Sequence, residues 1–357
     1  MLKYIKERLN DYNCDFFINE LFDASKNLGF LEAKISSYQF NKILIPMLHK
    51  KEAISSMYIE GTQTTISDVF ENEVNPKSND GKIMIEVNNH TRTLMYGAEY
   101  LKSDNFSNTF IKQIHERMMN KILPPKMQHS LGRYKDKDNY IINSVGTVVF
   151  TPPSYTETKK YMDELLSFMN NTNDGINPLI KAAIIHSQFE SIHPFEDGNG
   201  RVGRVLVSLY LYKAKVINFP FFYISEAISQ DKAVYYNKLT DTRKNNYNEW
   251  IKFFLRKVKI QAEKHISYID ALNTLYAKTK NSLKESINSP KYDDIIHCLF
   301  TNPVLTSAYL ANKLSVSSGQ AKRYLNILDE KQILFGDDKK RNRSYYFVEL
   351  LELARRS

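Results

Sequence analysis

Apolar residues recur at helical spacing along much of the chain, and this pattern is clearest near its middle. From Pro178 to Ile192 an apolar stripe repeats every three to four residues, which predicts a helix. Pro194 has no backbone N–H to donate, so this helix should end at about His193. A second apolar stretch of helix length follows at 202–213. The pattern therefore predicts two consecutive helices joined by a short loop.

Similar patterns predict helices in most of the remaining chain. They cover residues 51–59, 83–102, 110–122, 154–169 and 231–239. Residues 140–150 differ, because they are rich in β-branched residues around Gly146 and indicate a β-hairpin. The predicted fold is mainly α, with a hairpin at 140–150 between the helical stretches.

The C-terminal region has a pattern of its own. A short helix at 305–314, a turn at 315–317 and a second helix at 318–330 precede a hairpin with a charged tip at 333–347. This order resembles a winged helix-turn-helix module, which can bind DNA, bind protein or stabilise an enzyme. We expect three regions: an N-terminal helical region at 1–105, a core with its following helices at 106–284, and the module at 285–357.

Composition narrows the class of protein. The chain has 357 residues, 42% of them hydrophobic and 25% charged, which is ordinary for a globular protein of two or three domains. Its net charge of +9 is compatible with an acidic or nucleic-acid partner. The basic residues are spread along the chain, so the charge alone does not establish such a partner.

Several kinds of site and location are not expected. The two cysteines, Cys14 and Cys298, are far apart, which excludes a disulfide framework and favours a reducing compartment such as the cytoplasm. The first residues are charged and do not form a signal peptide, and no apolar run reaches the roughly 18 residues of a membrane helix. The histidines form no zinc-binding pattern.

The loop between the two central helices carries the candidate chemistry. Residues 193–204 read His-Pro-Phe-Glu-Asp-Gly-Asn-Gly-Arg-Val-Gly-Arg. Gly198 and Gly200 allow a tight turn and a close approach to a ligand. The free N–H groups at the start of the next helix suit a phosphate. Arg201 and Arg204 share one face of that helix, and an anion between them would offset their unfavourable position at its N-terminus.

Two further residues of this loop suit phosphate chemistry. Asp197 offers the hard oxygen ligands that Mg²⁺ prefers. His193 titrates near neutral pH when unperturbed, which suits a general base. A plain structural turn is the alternative interpretation, but it does not account for a histidine, an acid, two glycines and two arginines within twelve residues.

The stretch resembles the signature of the Fic family, His-x-Phe-x-Asp/Glu-Gly-Asn-Gly-Arg-x-x-Arg, at every fixed position. The resemblance implies an adenylyltransferase that moves AMP from ATP to a protein hydroxyl. It implies that His193 is the base, that Asp197 holds Mg²⁺, and that two arginines bind the β- and γ-phosphates. The implied nucleotide-binding set is Asp197, Gly198, Asn199, Gly200, Arg201, Val202, Gly203 and Arg204.

A second resemblance lies near the N-terminal side. Ser56 to Gly61 reads Ser-Met-Tyr-Ile-Glu-Gly, with the glycine as a natural helix C-cap. By its residues alone Glu60 is a surface acid near a helix end. The pattern also resembles the inhibitory motif of Fic proteins, which implies a salt bridge from Glu60 to Arg204 that displaces the γ-phosphate, with Ser56 and Gly61 as parts of the motif.

The remaining expected contacts rest on position relative to the main motif. In Fic proteins the hairpin is a flap beside the active site, so Val148 and Val149 are expected to contact nucleotide and target. The adenine pocket is expected at Tyr235 and Tyr236, with Tyr236 preferred, and at Arg243. The expected partners are ATP, a protein with a Ser, Thr or Tyr hydroxyl, which can be this protein itself, a second copy in a homodimer, and DNA if the C-terminal module binds it.

Three functions stay open from the sequence. The first is AMP transfer held in check by Glu60. The second is AMP removal, in which Glu60 orients a water. The third is a DNA-binding regulator whose core senses nucleotide.

Overall fold

The computed structural model describes residues 2–8, 12–36, 41–76, 81–142, 146–220, 222–244, 246–284, 287, 289–339 and 342–356. Most of these residues lie in helices. The helices are α1 (Ile5–Arg8), α2 (Ile18–Ser36), α3 (Asn41–Ile59), α4 (Ile66–Val74), α5 (Gly81–Ser103), α6 (Asn108–Met119), α7 (Tyr155–Asn170), α8 (Pro178–Ile192), α9 (Asn199–Lys213), α10 (Ser225–Ser229), α11 (Lys232–Arg243), α12 (Tyr247–Lys284), α13 (Tyr292–Thr301), α14 (Ser307–Leu314), α15 (Ser318–Glu330) and α16 (Val348–Arg356). The strands are β1 (Ile141–Ile142), β2 (Val148–Phe150), β3 (Val304–Thr306), β4 (Phe335–Gly336) and β5 (Ser344–Tyr346). The predicted mainly α fold is confirmed.

The described chain forms two units. The first comprises Met1–Ser37, Ser55–Thr62 and Ile85–Glu263. The second comprises Tyr38–Ile54, Gln63–Met84 and Lys264–Ser357. The three regions expected from the sequence, with boundaries after residues 105 and 284, stay a prediction. No helix in the described ranges combines the length and apolar character that a membrane crossing requires.

Helix α8 is the centre of the first unit. Every residue from Leu179 to Ile192 is buried, so neighbouring elements cover this helix on all sides. Pro178 lies at the start of the helix, and the side chain of Asn177 accepts a hydrogen bond from Leu179 N at 2.9 Å. Proline suits the first turn because its missing N–H would have no partner there. These local signals explain why the predicted and observed bounds of α8 agree.

Helix α9 follows α8 and packs against it, and its position decides where the candidate site lies. It begins at Asn199, three residues before the apolar stretch at 202–213 and two residues before Arg201, which was expected in its first turn. The prediction was wrong because Asn199 and Gly200 were taken as part of the loop. Gly198 has φ 80° and ends the turn in the left-handed region, which glycine adopts without strain.

The predicted hairpin is present in the first unit. Strands β1 and β2 are antiparallel, with Ile141 opposite Phe150 and Ile142 opposite Val148. The predicted residues 143–145 lie outside the described residues. The base of the hairpin is tied across its two ends, because Asp138 Oδ1 accepts a hydrogen bond from Tyr155 N at 2.9 Å.

The second unit contains a small sheet with the strand order β3–β5–β4, both pairs antiparallel. The expected short helix at 305–314 begins only at Ser307, because Leu305 and Thr306 belong to β3. Thr306 also caps α14, since its hydroxyl accepts a hydrogen bond from Tyr309 N at 3.2 Å. A second helix and a hairpin follow in the predicted order. Membership of the winged-helix class and DNA binding stay predictions.

Candidate active site

The backbone turns sharply at the end of α8. His193 is the C-cap of this helix and has φ 48° and ψ 60°, in the left-handed region. Its N–H donates to Phe189 O at 3.0 Å, and Pro194 prevents the helix from continuing. This conformation is uncommon for a residue that has a Cβ, and it costs roughly 1 kcal/mol of conformational free energy. The surrounding structure must therefore hold His193 in place.

One side chain fixes the turn from within. Asn199 Oδ1 accepts from Phe195 N at 2.9 Å, while its Nδ2 donates to Phe195 O at 2.8 Å. Both polar groups of the Phe195 backbone are thus satisfied by one buried amide. Asn199 therefore fixes the backbone of the loop from its place at the start of α9.

A buried histidine supports the turn from below. The His115 ring stacks on the Phe195 ring with centroids 3.9 Å apart. His115 Nδ1 accepts from Gly132 N at 3.0 Å, so the ring hydrogen lies on Nε2, which donates to Asp197 O at 3.0 Å. Burial lowers the pKa of His115 to about 4, so the ring is neutral. His115 therefore supports the turn as a neutral packing and hydrogen-bonding residue.

The two arginines of α9 lie in different environments. Arg201 Nη1 is 2.5 Å from Glu86 Oε1, and its Nη2 is 3.6 Å from Asp197 Oδ1. Glu86 lies on α5 and is buried. The sequence pattern did not identify Glu86, because 115 residues separate it from Arg201. The only signal in the sequence is that Glu86 is an acid on the inner face of the helix predicted at 83–102. A buried acid of this kind suggests a buried cation as its partner.

Arg204 is buried and bound by the end of α3. Its Nε donates to Ser56 Oγ at 3.0 Å, and its Nη2 donates to Ser56 O at 3.1 Å. Nη2 also lies 2.7 Å from Glu60 Oε1, so the ion pair implied by the sequence resemblance is present. The Glu60 side chain is one third exposed (33%), whereas that of Arg204 is 1% exposed. Solvent can thus reach the carboxylate but not the guanidinium.

The pairing favours the charged form of both Glu60 and Arg204. Burial alone would raise the pKa of Glu60, but the Arg204 guanidinium outweighs it and the pKa is lowered. Burial alone would lower the pKa of Arg204, but the Glu60 carboxylate raises it. The absence of a Cβ at Gly200 lets the Glu60 carboxylate lie against this turn, since a Cβ would take the place of Glu60 Oε1. Gly61 ends the helical segment with φ 96°.

The His193 ring has the properties of a neutral base. Burial lowers its pKa to about 4, with Lys135 and Arg243 adding in the same direction. Its Nδ1 lies 3.4 Å from Glu190 O, a long contact in which the carbonyl can only accept. The hydrogen is therefore assigned to Nδ1, and the lone pair of Nε2 is left to accept a proton.

Glu190 is a charged residue of this region that the sequence analysis missed. It is buried in α8, and its Oε1 has no hydrogen-bond partner among the described residues. Burial raises its pKa to about 7, which the Arg204 charge only partly opposes. A Cβ at Gly203 would lie 2.6 Å from Glu190 Oε1, so this glycine makes room for the carboxyl. The signal was present in the sequence as an acid within an otherwise apolar helix.

The two tyrosines expected at an adenine pocket differ in position. Tyr235 is buried, and its hydroxyl lies 2.9 Å from His186 Nε2. Tyr236 is 43% exposed, and its hydroxyl donates to Ile59 O at 3.4 Å, next to Glu60. Of the two rings, that of Tyr236 is the exposed one, and the expected adenine contact stays a prediction.

The hairpin and α11 meet at Arg243. The guanidinium carbon of this residue lies 4.3 Å from the centroid of the Phe150 ring, at the end of β2. Val148 and Val149 in the same strand are 51% and 42% exposed, so both could contact a ligand or a target. Val202 differs, because its side chain is fully buried and its N–H donates to Gly198 O at 3.1 Å.

A magnesium ion would find one protein ligand at this turn. The Asp197 side chain is 46% exposed, and its Oδ1 accepts from Gly198 N at 2.6 Å. No group of three or more His, Cys, Asp or Glu side chains in the described ranges could enclose a metal ion. A single carboxylate fits Mg²⁺ bound jointly with phosphates, since this ion usually keeps several waters and few protein ligands.

The chain is similar in sequence to known proteins. The chain is 26% identical over 212 residues to a probable protein adenylyltransferase of Aquifex aeolicus, covering 55% of this chain and 63% of that protein. It is 28% identical over 156 residues to the protein adenylyltransferase Fic of Nematostella vectensis, covering 43% and 33%. The chain thus matches less than two thirds of the length of either relative.

The fold has solved counterparts. A crystal structure of a Fic family protein from Desulfovibrio desulfuricans has a TM-score of 0.59 and 20% identity, covering 92% of this chain and 95% of that one. The Fic/DOC family model matches residues 105–211, which include the whole turn from His193 to Arg204. The model of the family's N-terminal region matches residues 18–99, which include Glu60. Because the two models together cover more than half of its residues, this chain belongs to the Fic/DOC family.

Proposed function

We propose that this protein transfers AMP from ATP to a Ser, Thr or Tyr hydroxyl of a protein, and that Glu60 restrains the reaction. The observation that carries the proposal is the ion pair between Glu60 and Arg204, 2.7 Å long, at the turn that also presents His193. The relatives from Aquifex and Nematostella are named as adenylyltransferases, the former as a probable one.

The reaction requires a base and an aligned phosphate. His193 Nε2 takes the proton of the target hydroxyl, and the oxygen attacks the α-phosphorus in line. The new bond joins the oxygen to the α-phosphorus, the bond to the bridging oxygen breaks, and pyrophosphate leaves. The neutral His193 ring, with its pKa lowered to about 4, is in the state that can accept this proton. Positioning and charge stabilisation supply most of the acceleration.

The nucleotide is bound by the first turn of α9. Gly198, Asn199 and Gly200 shape the anion cradle, Arg201 binds the β-phosphate and Arg204 binds the γ-phosphate. Asp197 holds Mg²⁺, which would neutralise phosphate charge when bound. Arg201 already pairs with Glu86 at 2.5 Å, so it approaches the phosphate from a fixed position.

The surrounding exposed residues complete the substrate sites. Tyr236 and Arg243 receive the adenine, and Val148 and Val149 contact the nucleotide and the target backbone. An exposed strand edge can align a peptide by main-chain hydrogen bonds without reading much of its sequence. This suits an enzyme that modifies a hydroxyl on an extended segment.

Restraint follows from competition for Arg204. Its guanidinium already donates to Glu60 and to Ser56, so a γ-phosphate would meet an occupied cation and a repelling carboxylate. ATP would then bind with its phosphates displaced, and a misplacement of about 1 Å costs on the order of 10²-fold in rate. Removing Glu60 should relieve both effects.

The test is transfer from ATP labelled on the α-phosphate, with Mg²⁺ and a cell lysate. We expect Glu60→Gly to incorporate at least about 10-fold more label than the wild type, since alignment is restored. The intact mass of a modified protein should rise by one AMP. ATP labelled on the γ-phosphate should leave no label, because pyrophosphate departs.

Controls separate restraint from a general effect of lost charge. Glu99→Ala removes an exposed carboxylate that is 2.6 Å from Lys102, and it should leave transfer unchanged. Glu60→Gly with Arg204→Ala should not recover full activity, because the γ-phosphate loses its anchor. Equal incorporation by wild type and folded Glu60→Gly would end the restraint proposal. Loss of label from a modified target on adding wild type without ATP would favour AMP removal.

A further inference from the structure

The segment that leads into the hairpin holds the turn at His193 through several hydrogen bonds. Lys135 N donates to Pro194 O at 2.8 Å, and Lys135 Nζ donates to Ile192 O at 3.3 Å. Asn139 Nδ2 donates to His193 O at 3.1 Å and to Phe195 O at 3.0 Å. The carbonyls on both sides of His193 and that of His193 itself are thus bound from one segment.

The two side chains also bind each other. Lys135 Nζ donates to Asn139 Oδ1 at 2.7 Å, which orients the amide so that its NH₂ group faces the turn. Lys135 is buried, and burial lowers its pKa to about 8. Keeping an ammonium group there is costly without a compensating role. Its place beside the last carbonyl of α8 gives one, because the C-terminal end of a helix favours a cation.

These contacts account for the unusual backbone of His193. A residue with a Cβ does not adopt φ 48° without support, yet the ring must point to a fixed place for proton transfer. Asn199 fixes Phe195 from one side, and Asn139 fixes both Phe195 and His193 from the other. The turn is thus held between two amide side chains.

We propose that Lys135 and Asn139 are positioning residues that hold His193 in its left-handed conformation and connect it to the base of the hairpin. Asn139 stands two residues before β1, and its neighbour Asp138 binds Tyr155 N beyond β2. A target segment seated on the hairpin therefore acts on the same short segment that orients the base. The inference rests on the proposed AMP transfer, in which His193 accepts the proton.

The kinetic test uses the Glu60→Gly protein as the starting enzyme. Adding Asn139→Leu, which has a similar size and no polar atoms, should lower kcat by about 10- to 100-fold through misplacement of His193. KM for ATP should stay within about twofold, since neither residue is placed at the phosphates. Lys135→Met should behave in the same way, while Lys135→Arg, which keeps the charge and hydrogen-bond donors, should lose less of the rate than Lys135→Met.

A matched control is Lys159→Met, which removes an exposed lysine 2.7 Å from Asp163 in the same unit. It should leave both kcat and KM unchanged. Unchanged kcat in folded Asn139→Leu and Lys135→Met would overturn the proposal. A parallel rise in KM for ATP with no fall in kcat would also overturn it, because the segment would then act on nucleotide binding.

A second readout does not depend on activity. The His193 ring faces Lys135 and Arg243, which lower its pKa, and Glu60, which raises it. In a nuclear magnetic resonance titration of the wild-type background, Lys135→Met should raise the pKa of His193 and Lys135→Arg should not. If the pKa of His193 is the same in all three proteins, Lys135 does not act on this ring. If Asn139→Leu, which removes no charge, also shifts the His193 ring resonances while no protein transfers AMP, the proposed function has failed and the positioning has not.

Discussion

Two helix–turn–helix corners in this protein both begin at a left-handed helix C-cap but bury different groups. Helix α8 ends at His193 with φ 48°, and α14 ends at Ser315 with φ 52°. In the first corner Arg204 and Glu190 are buried within or beside the turn. In the second corner the basic residues of α15, Lys322 and Arg323, are exposed. The same left-handed helix C-cap thus occurs in two different environments.

The difference lies in how each turn is held. Ser317 caps α15 by accepting a hydrogen bond from Gln320 N at 3.2 Å, a local contact between neighbours in sequence. The turn after α8 depends on side chains from distant segments, such as His115 and Asn139. Burying charge is costly, so a fold that places it at a turn gains nothing in stability from doing so. The cost is understandable where the charges act on a substrate.

The largest expected effect is on the rate of AMP transfer, and it distinguishes His193 from Ser315, the two left-handed C-cap residues. His193→Ala should lower AMP transfer by about 10²- to 10⁴-fold, the usual contribution of a general base, and should keep ATP binding. Ser315→Gly should leave transfer unchanged, because glycine adopts the same backbone and no chemistry lies there. Transfer rates and ATP affinity of both variants would be measured side by side. Transfer by His193→Ala at the wild-type rate would show that another group takes the proton.

The next effect concerns the buried acid of the first corner. The pKa of Glu190 is raised in the fold to about 7, above its ordinary value, so the folded state holds this proton more tightly. Its contribution to stability is therefore present at low pH and is lost as pH rises from about 4.5 to 7. Glu190→Gln should remove this loss, and its free energy of unfolding should exceed that of the wild type by up to about 3 kcal/mol at neutral pH.

The measurement is the free energy of unfolding of both proteins across this pH range. Histidines with lowered pKa values, such as His186 and His193, add an opposite slope in both proteins. The difference between variant and wild type isolates Glu190, and it should grow as pH rises. A difference that does not depend on pH would mean that Glu190 keeps an ordinary pKa in the fold.

The smallest effect tests the local cap of the second corner. Ser317→Ala removes the acceptor for Gln320 N and should destabilise the protein by about 1 kcal/mol. Lys322→Ala, an exposed position on the same helix, should change stability by less than about 0.5 kcal/mol. Thermal unfolding of the two variants is the measurement. Equal stability changes in the two variants would mean that the Ser317 cap contributes little and that packing alone holds α15.

Much of the fold could be predicted from the sequence, because helix bounds depend on residues that are close together in the chain. The bounds of α8 agree with the apolar stripe, Pro178 and Pro194. Strand β3 was missed, because its three residues are all buried and show no alternation. The early start of α9 was also missed, since the bonds from Asn199 to Phe195 form only once the turn closes.

The sequence by itself determined that a turn joins two helices between His193 and Arg204, because glycine, proline and helix-end residues act over a few positions. The partner Glu60 was reached only by resemblance to a family, since 144 residues separate it from Arg204. The tertiary structure alone decided which carboxylates meet the arginines and which groups lose water. Burial sets the pKa values of Glu190 and His193, and burial depends on packing between distant segments, which no local pattern records.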